Sequence, residues 1–162
     1  MNKFILILFL FFVTLSTGAT TLEAGISIEN VPKALFGQWR ISAKLENTNS
    51  YKSFKPQSID FWNLSRNGNR VKLENPYSGA NAELSIQTIE NNLIVFSKKM
   101  PFDNKILTDT VTIRLQENEF KGYNHLTLET ISSIDNKVLK TETATYEIKG
   151  EKISGDNILN FD

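Results

Sequence analysis

The clearest feature of the chain is an alternation of apolar and polar residues in the stretch 36–46. Successive side chains of a β-strand point to opposite faces, so this stretch is predicted to be a strand with one buried and one solvent-facing side. Gly37, directly before the alternation, allows a close backbone approach or an unusual dihedral angle. Trp39 is therefore expected to be a structural core residue. The apolar members of the pattern are Trp39, Ile41, Ala43 and Leu45.

Similar patterns, separated by short polar turns, recur along the rest of the chain. Asn67-Gly68 is the strongest hairpin signal, because both residues tolerate positive φ angles. Gly150-Glu151 is interpreted as a last tight turn. All four prolines fall in predicted connections, where a missing N–H costs no ladder hydrogen bond. Further strands are predicted at 59–66, 71–73, 82–88, 93–96, 110–116, 120–131, 138–149 and 152–155.

These patterns predict an all-β protein. Eight or nine strands follow one another through short turns, and no helical periodicity is long enough to indicate a helix. Sequential hairpins favour an antiparallel meander, which removes its exposed edges by closing into an up-and-down barrel of about eight strands. A β-sandwich is the alternative architecture.

The N-terminus has the pattern of a secretory signal peptide. One lysine precedes ten consecutive apolar residues, 4–13, and a small-residue stretch ends at Ala19. Residues 1–19 are predicted to be this signal, residues 20–35 an N-terminal extension (a flexible segment or a short edge strand), and residues 36–162 one barrel domain. The protein is accordingly expected to be exported, to the periplasm or the exterior; an uncleaved anchor is the alternative.

Composition excludes several classes of partner and site. The chain has no cysteine, so disulfides, thiol nucleophiles and thiolate metal sites are ruled out. Without residues 1–19 it carries 17 basic and 18 acidic residues with no basic stripe, which argues against nucleic acid and anionic membrane surfaces. The stretch 93–96 is apolar throughout, which argues against integral membrane insertion as a lipid-facing barrel. No cofactor or metal site is expected.

Gly37-Gln38-Trp39 resembles the Gly-x-Trp motif of the lipocalins and the wider calycin group. The resemblance implies an eight-stranded barrel around a small ligand, with the tryptophan closing one end. Thr108-Asp109-Thr110 is similar to that family's Thr-Asp-Tyr, without the aromatic residue. The family's late arginine, which stacks on the tryptophan, has no counterpart here, and Lys140 or Lys149 is the expected substitute.

Five residues are candidates for ligand binding. Phe61 and Trp62 are neighbours in a strand, so one must point into the barrel and the other outward. Tyr77 begins a small, flexible connection of the kind that rims the mouth of a barrel. Tyr123 and His125 share a face and are candidates to supply polar groups to a cavity. For each, ordinary packing is the competing interpretation.

Two functions follow from these features. The first is an exported, non-enzymatic, lipocalin-like protein that binds a small, largely apolar molecule. The second is a filled barrel that acts through its surface, as an inhibitor or an envelope-associated interaction module. A barrel of eight strands is wide enough either to be filled by side chains or to hold one small ligand. The size of the inward side chains near one mouth decides between the two.

Overall fold

The computed structural model describes residues 26–154, which form a closed barrel of eight antiparallel strands in chain order. This confirms the predicted all-β, up-and-down barrel, and the β-sandwich alternative is wrong. The predicted signal peptide lies outside the described residues. The strands are β1 (Gly37–Thr48), β2 (Gln57–Asn67), β3 (Arg70–Glu74), β4 (Asn81–Glu90), β5 (Leu93–Phe102), β6 (Lys105–Leu115), β7 (Glu119–Ile131) and β8 (Val138–Ser154).

The barrel closes because β1 pairs with both β2 and β8. Residues directly opposite each other on neighbouring strands point to the same side of the sheet. Pairs such as Trp39–Trp62 and Lys98–Asp109 therefore define an inner wall. One end of the barrel, called the open mouth below, is formed by the connections 49–56, 75–80, 103–104 and 132–137.

The opposite end is covered by the residues before β1. Two short 3₁₀-helices, Ile28–Asn30 and Lys33–Leu35, bury Ile28, Val31 and Leu35. Their apolar side chains remove surface from water by packing on the barrel, which stabilises this position. The described part of the N-terminal extension is therefore a packed cover, and the expectation of a flexible segment or an edge strand is wrong there.

Trp39 lies fully buried beneath this cover. Its Nε1 donates a hydrogen bond to the Leu35 carbonyl oxygen at 2.8 Å, and its ring centroid lies 5.0 Å from that of Phe120. Gly37, two residues earlier, has a φ of 125°, which residues with a Cβ rarely adopt. The backbone conformation thus requires glycine at position 37, and the hydrogen bond and ring contact favour tryptophan at position 39.

β8 runs through Gly150 without turning, so the predicted turn at Gly150-Glu151 is wrong. A Cβ on Gly150 would lie 2.3 Å from Cε1 of Phe120. The glycine is needed for packing against this ring. Because the strand continues, Lys152 reaches the tryptophan, and its Nζ lies 5.3 Å from the Trp39 ring centroid. The lysine that lies over the tryptophan ring is therefore Lys152, and the expectation of Lys140 or Lys149 is wrong.

Three further differences concern strand ends. Pro101 lies within β5, near its exposed end, and not in a connection. Asn67 pairs with Arg70, so the hairpin turn is Gly68-Asn69, one residue later than predicted. β6 begins at Lys105, which places Thr108-Asp109-Thr110 inside a strand. Pairing with two neighbours extended these strands into stretches whose own alternation is weak.

Candidate functional site

The half of the barrel next to Trp39 is filled by aromatic rings. Trp62 points inward and stacks near Phe120 at a centroid distance of 6.0 Å. It meets Phe96 edge-on at 6.2 Å. The narrow gap bounded by Trp62, Phe96, Lys98 and Asp109 has no room for a water molecule. Aromatic rings thus fill this half, and the gap between them and the strands β5 and β6 offers no space for a ligand.

Towards the open mouth the inner wall becomes polar. Four side chains, called the Asp109 cluster below, share this level: Asp60 of β2, Lys98 of β5, Asp109 of β6 and Asn124 of β7. Lys98 stands directly opposite Asp109, and its Nζ lies 3.4 Å from Asp109 Oδ2. The two side chains are only 17% and 9% exposed. A salt bridge thus crosses between strands inside the barrel.

Asp60 is engaged by neighbours on its own side of the barrel. It accepts hydrogen bonds from Trp62 Nε1 at 3.0 Å, from the Phe61 amide at 2.9 Å, and from Asn75 Nδ2. These donors hold its carboxylate in place. Trp62, one of the predicted ligand residues, therefore has both a packing role and a role in orienting Asp60.

Asp109 is less well satisfied. Burial raises the pKa of its carboxyl. The charge of Lys98 and hydrogen bonds from Lys98 and Asn124 lower the pKa in part, and the negative charge of Asp60 raises it again. Its Oδ1 is buried and accepts no hydrogen bond from the residues that the structure describes, and the same holds for Asn124 Oδ1. Unsatisfied buried acceptors are rare in proteins and call for an explanation.

Beyond the Asp109 cluster, most inward side chains are apolar and several are half-buried, and the buried carboxylate of Glu142 lies among them, opposite Leu128. Two strands contribute alanines that pack in or against the core, Ala43 and Ala144. Leucines on the same wall stay partly exposed while they pack against the core. The inward side chains at this level are thus smaller or more exposed than the rings of the aromatic half. The leucines are Leu45, Leu126 and Leu128.

The connection 49–56, called the mouth loop below, contributes one buried aromatic side chain at this end of the barrel. Its Phe54 is 7% exposed and belongs to the hydrophobic core. The loop is tied to β8, where Tyr146 Oη donates to the Lys55 carbonyl oxygen at 2.9 Å. Glu142 accepts hydrogen bonds from the hydroxyls of Ser50 and Ser53, the latter at 2.8 Å. A few polar contacts with β8 thus hold the loop that carries the buried Phe54 side chain.

The hydrogen bonds from the mouth loop to Glu142 predict that the stability of the fold depends on pH. Hydrogen bonds from Ser50, Lys140 and Ser53 lower the pKa of its carboxyl from the ordinary 4.5 to about 2. A carboxyl whose pKa is lower in the folded state stabilises the fold above the unfolded-state pKa and loses that contribution as pH falls. The stabilisation relative to Glu142→Gln should therefore be constant near neutral pH and shrink from pH 4.5 towards pH 2, measured by denaturant unfolding.

Glu147→Gln is the matched control, because Glu147 lies on the outer face of the same strand and is 41% exposed. If the loss of stability in Glu142→Gln were the same at neutral pH and at pH 2, the charge of Glu142 would not contribute to holding the loop.

The other predicted ligand residues lie outside the barrel. Phe61 points outward, as the alternation with Trp62 requires, and its ring centroid lies 4.7 Å from that of Tyr77. Tyr123 and His125 are exposed on the outer face of β7, and His125 Nδ1 is 3.0 Å from Thr145 Oγ1. The interpretation that they supply polar groups to a cavity is wrong, because Asn124, between them, takes the inward position.

The Asp109 cluster was not predicted as a site. A signal was present: extending the inward positions of β6 back from Val111 reaches Asp109, a charge on an apolar face. The same extension on β5 runs from Ile94 and Phe96 to Lys98. The sequence therefore contained opposite charges at inward positions of two successive strands. Whether these two residues stand opposite each other depends on the strand register, which the sequence pattern does not give.

No family model, curated protein or solved structure matches this chain. Within residues 26–154, no group of three or more histidine, aspartate or glutamate side chains is arranged to hold a metal ion. The same residues include no helix with the length and apolar character to cross a membrane.

Proposed function

We propose that this chain is an exported, non-enzymatic, lipocalin-like protein that binds a small, largely apolar molecule in the half of the barrel next to the open mouth. One observation carries the proposal. Phe54 is buried in the hydrophobic core, against which Leu45, Leu126 and Leu128 pack, but it is carried by the mouth loop and not by the barrel wall. A ligand that displaces this ring meets Leu45, Leu126 and Leu128 without disturbing the strand pairing.

The energetics permit such an exchange. Burying a side chain of this size contributes about 1.5–3 kcal/mol, so exposing Phe54 costs a similar amount. A ligand that buries comparable apolar area on the same wall offsets this cost. The aromatic half behind the Asp109 cluster stays closed, since its rings are carried by strands paired on both sides. The ligand would therefore occupy only the part of the barrel between the Asp109 cluster and the open mouth.

Removal of the Phe54 ring should strengthen ligand binding. Phe54→Ala is expected to bind the neutral fluorescent probe N-phenyl-1-naphthylamine about tenfold or more tightly than the wild type, because the probe no longer competes with a buried ring. Tyr51→Ala on the same loop is the matched control, since Tyr51 is 78% exposed. Fluorescence titration measures both, and native mass spectrometry of protein purified from its source identifies the natural ligand.

If neither the wild type nor Phe54→Ala binds the probe, and the purified protein carries no small molecule, the carrier function is wrong.

A surface function is the second candidate, and one observation favours it. Each of the four connections at the open mouth carries or adjoins a large apolar side chain that is 46–95% exposed. Exposed apolar groups gathered at one end are typical of interaction surfaces. Serine substitutions at these positions that abolish capture of one identified protein, with probe binding unchanged, would support an interaction module. The side chains are Tyr51, Tyr77, Phe102 and Ile134.

A further inference from the structure

We propose that the ligand carries a protonated amine, which enters through the open mouth and donates a hydrogen bond to Oδ1 of Asp109. This inference rests on the proposed carrier function and names the chemical class of the ligand: a small amphipathic amine with an apolar body.

The first argument is the unused acceptor. Oδ2 of Asp109 faces Lys98 Nζ at 3.4 Å, while Oδ1 is buried without a donor from the described residues. Asn124 Oδ1 on the neighbouring strand is in the same condition. Two buried acceptors on adjacent strands favour a group that has several N–H donors and no acceptor. An ammonium group has three donors and no acceptor.

The second argument is charge. At this level the inner wall carries two carboxylates, Asp60 and Asp109, and one ammonium, that of Lys98. Asp60 is close enough to raise the pKa of Asp109, and Lys98 offsets only one of the two acids. A ligand with one positive charge would neutralise the remaining negative charge. A carboxylate ligand would add a third negative charge to a site of low dielectric constant, which is strongly unfavourable.

The third argument is the wall that leads away from the carboxylate. Asp109 stands directly opposite Leu126, and the next inward pair towards the mouth is Leu107 and Leu128. An amine held at Asp109 therefore directs its attached chain along these leucines. On the other side, the gap bounded by Trp62, Phe96, Lys98 and Asp109 itself is too narrow for water. The amine therefore has to reach Oδ1 from the side of Leu126 and the mouth, and its apolar body extends towards Phe54.

The test compares three probes of equal chain length on the full chain: octylamine, octanol and octanoate, each titrated by displacement of N-phenyl-1-naphthylamine at neutral pH. Octylamine is expected to bind at least about tenfold more tightly than either of the others, the usual size of a hydrogen bond to a buried charge. Asp109→Asn should reduce this preference to near unity. Asp135→Asn, which removes an acid from the exposed turn at the mouth, should leave it unchanged.

The Asp109 carboxyl carbon-13 signal of the wild type offers a readout that needs no variant. It should shift with octylamine and stay unchanged with octanol. Equal affinity for the three probes, or a preference that survives in folded Asp109→Asn, would overturn the amine while leaving the apolar carrier intact. Binding of none of them, nor of the naphthylamine, would remove the carrier function and this inference together.

Discussion

Trp39→Ala is expected to lower the free energy of unfolding by about 3–5 kcal/mol, the usual cost of deleting a large aromatic side chain from a core. Three contacts are lost at once: the hydrogen bond to Leu35, the ring contact with Phe120 and the cation–π contact with Lys152. The cover formed by the 3₁₀-helices loses the group on which it packs. Denaturant unfolding followed by circular dichroism measures the change.

Tyr123→Ala is the matched control, an aromatic residue on the outer face that is 57% exposed. Its effect should stay within about 0.5 kcal/mol, as for most surface substitutions. If Trp39→Ala were as mild as this control, the tryptophan would not close the barrel.

Lys98→Met has the second large expected effect. Breaking a buried salt bridge by removing one partner costs about 3–5 kcal/mol, because the other charge is left uncompensated. The remaining exposure of Lys98, 17%, places the expected loss near the lower end, about 3 kcal/mol. Lys98→Met/Asp109→Leu should recover most or all of the loss, since apolar replacement of a whole buried pair is often neutral or stabilising. The same unfolding measurements on Asp109→Leu alone supply the fourth protein that the double-mutant cycle needs.

Lys72→Met provides the comparison with an exposed pair. Lys72 Nζ lies 2.6 Å from Glu74 Oε1, but the side chains are 36% and 39% exposed, so the loss should not exceed about 1 kcal/mol. A double variant that stays as unstable as Lys98→Met would show that the loss does not come from the uncompensated charge of Asp109. A double variant that is as stable as the wild type but does not prefer amines would separate the ligand role of the pair from any stabilising role.

Much of the fold could be predicted because a barrel strand is half buried. The stretch 36–46 alternates visibly, and neighbours such as Phe61 and Trp62 had to point to opposite sides. The alternation leaves open which of the two points inward, and the structure places Trp62 inside and Phe61 outside. Where alternation weakened, as at Pro101 or around Thr108, the strand ends were misplaced, because pairing partners decide how far a strand extends.

The candidate site was harder to predict because its parts come from four strands. Asp60, Lys98, Asp109 and Asn124 are spread over 65 residues of chain, and each by itself reads as an ordinary polar residue. Tyr123 and His125 were chosen because they share a face, but periodicity alone does not say which face is inside. The inward position belongs to Asn124, whose amide is less conspicuous in a sequence than an aromatic ring or a histidine.

The sequence by itself determined most of the strands, the approximate positions of the turns between them and the burial of Trp39, because period-two burial and turn chemistry are local properties. Three features became visible only in the tertiary structure. Gly150 leaves room for the Phe120 ring, Lys152 lies over Trp39, and Lys98 forms a salt bridge with Asp109 inside the barrel. These depend on register across the closed sheet and on the close approach of distant side chains, neither of which a local pattern records.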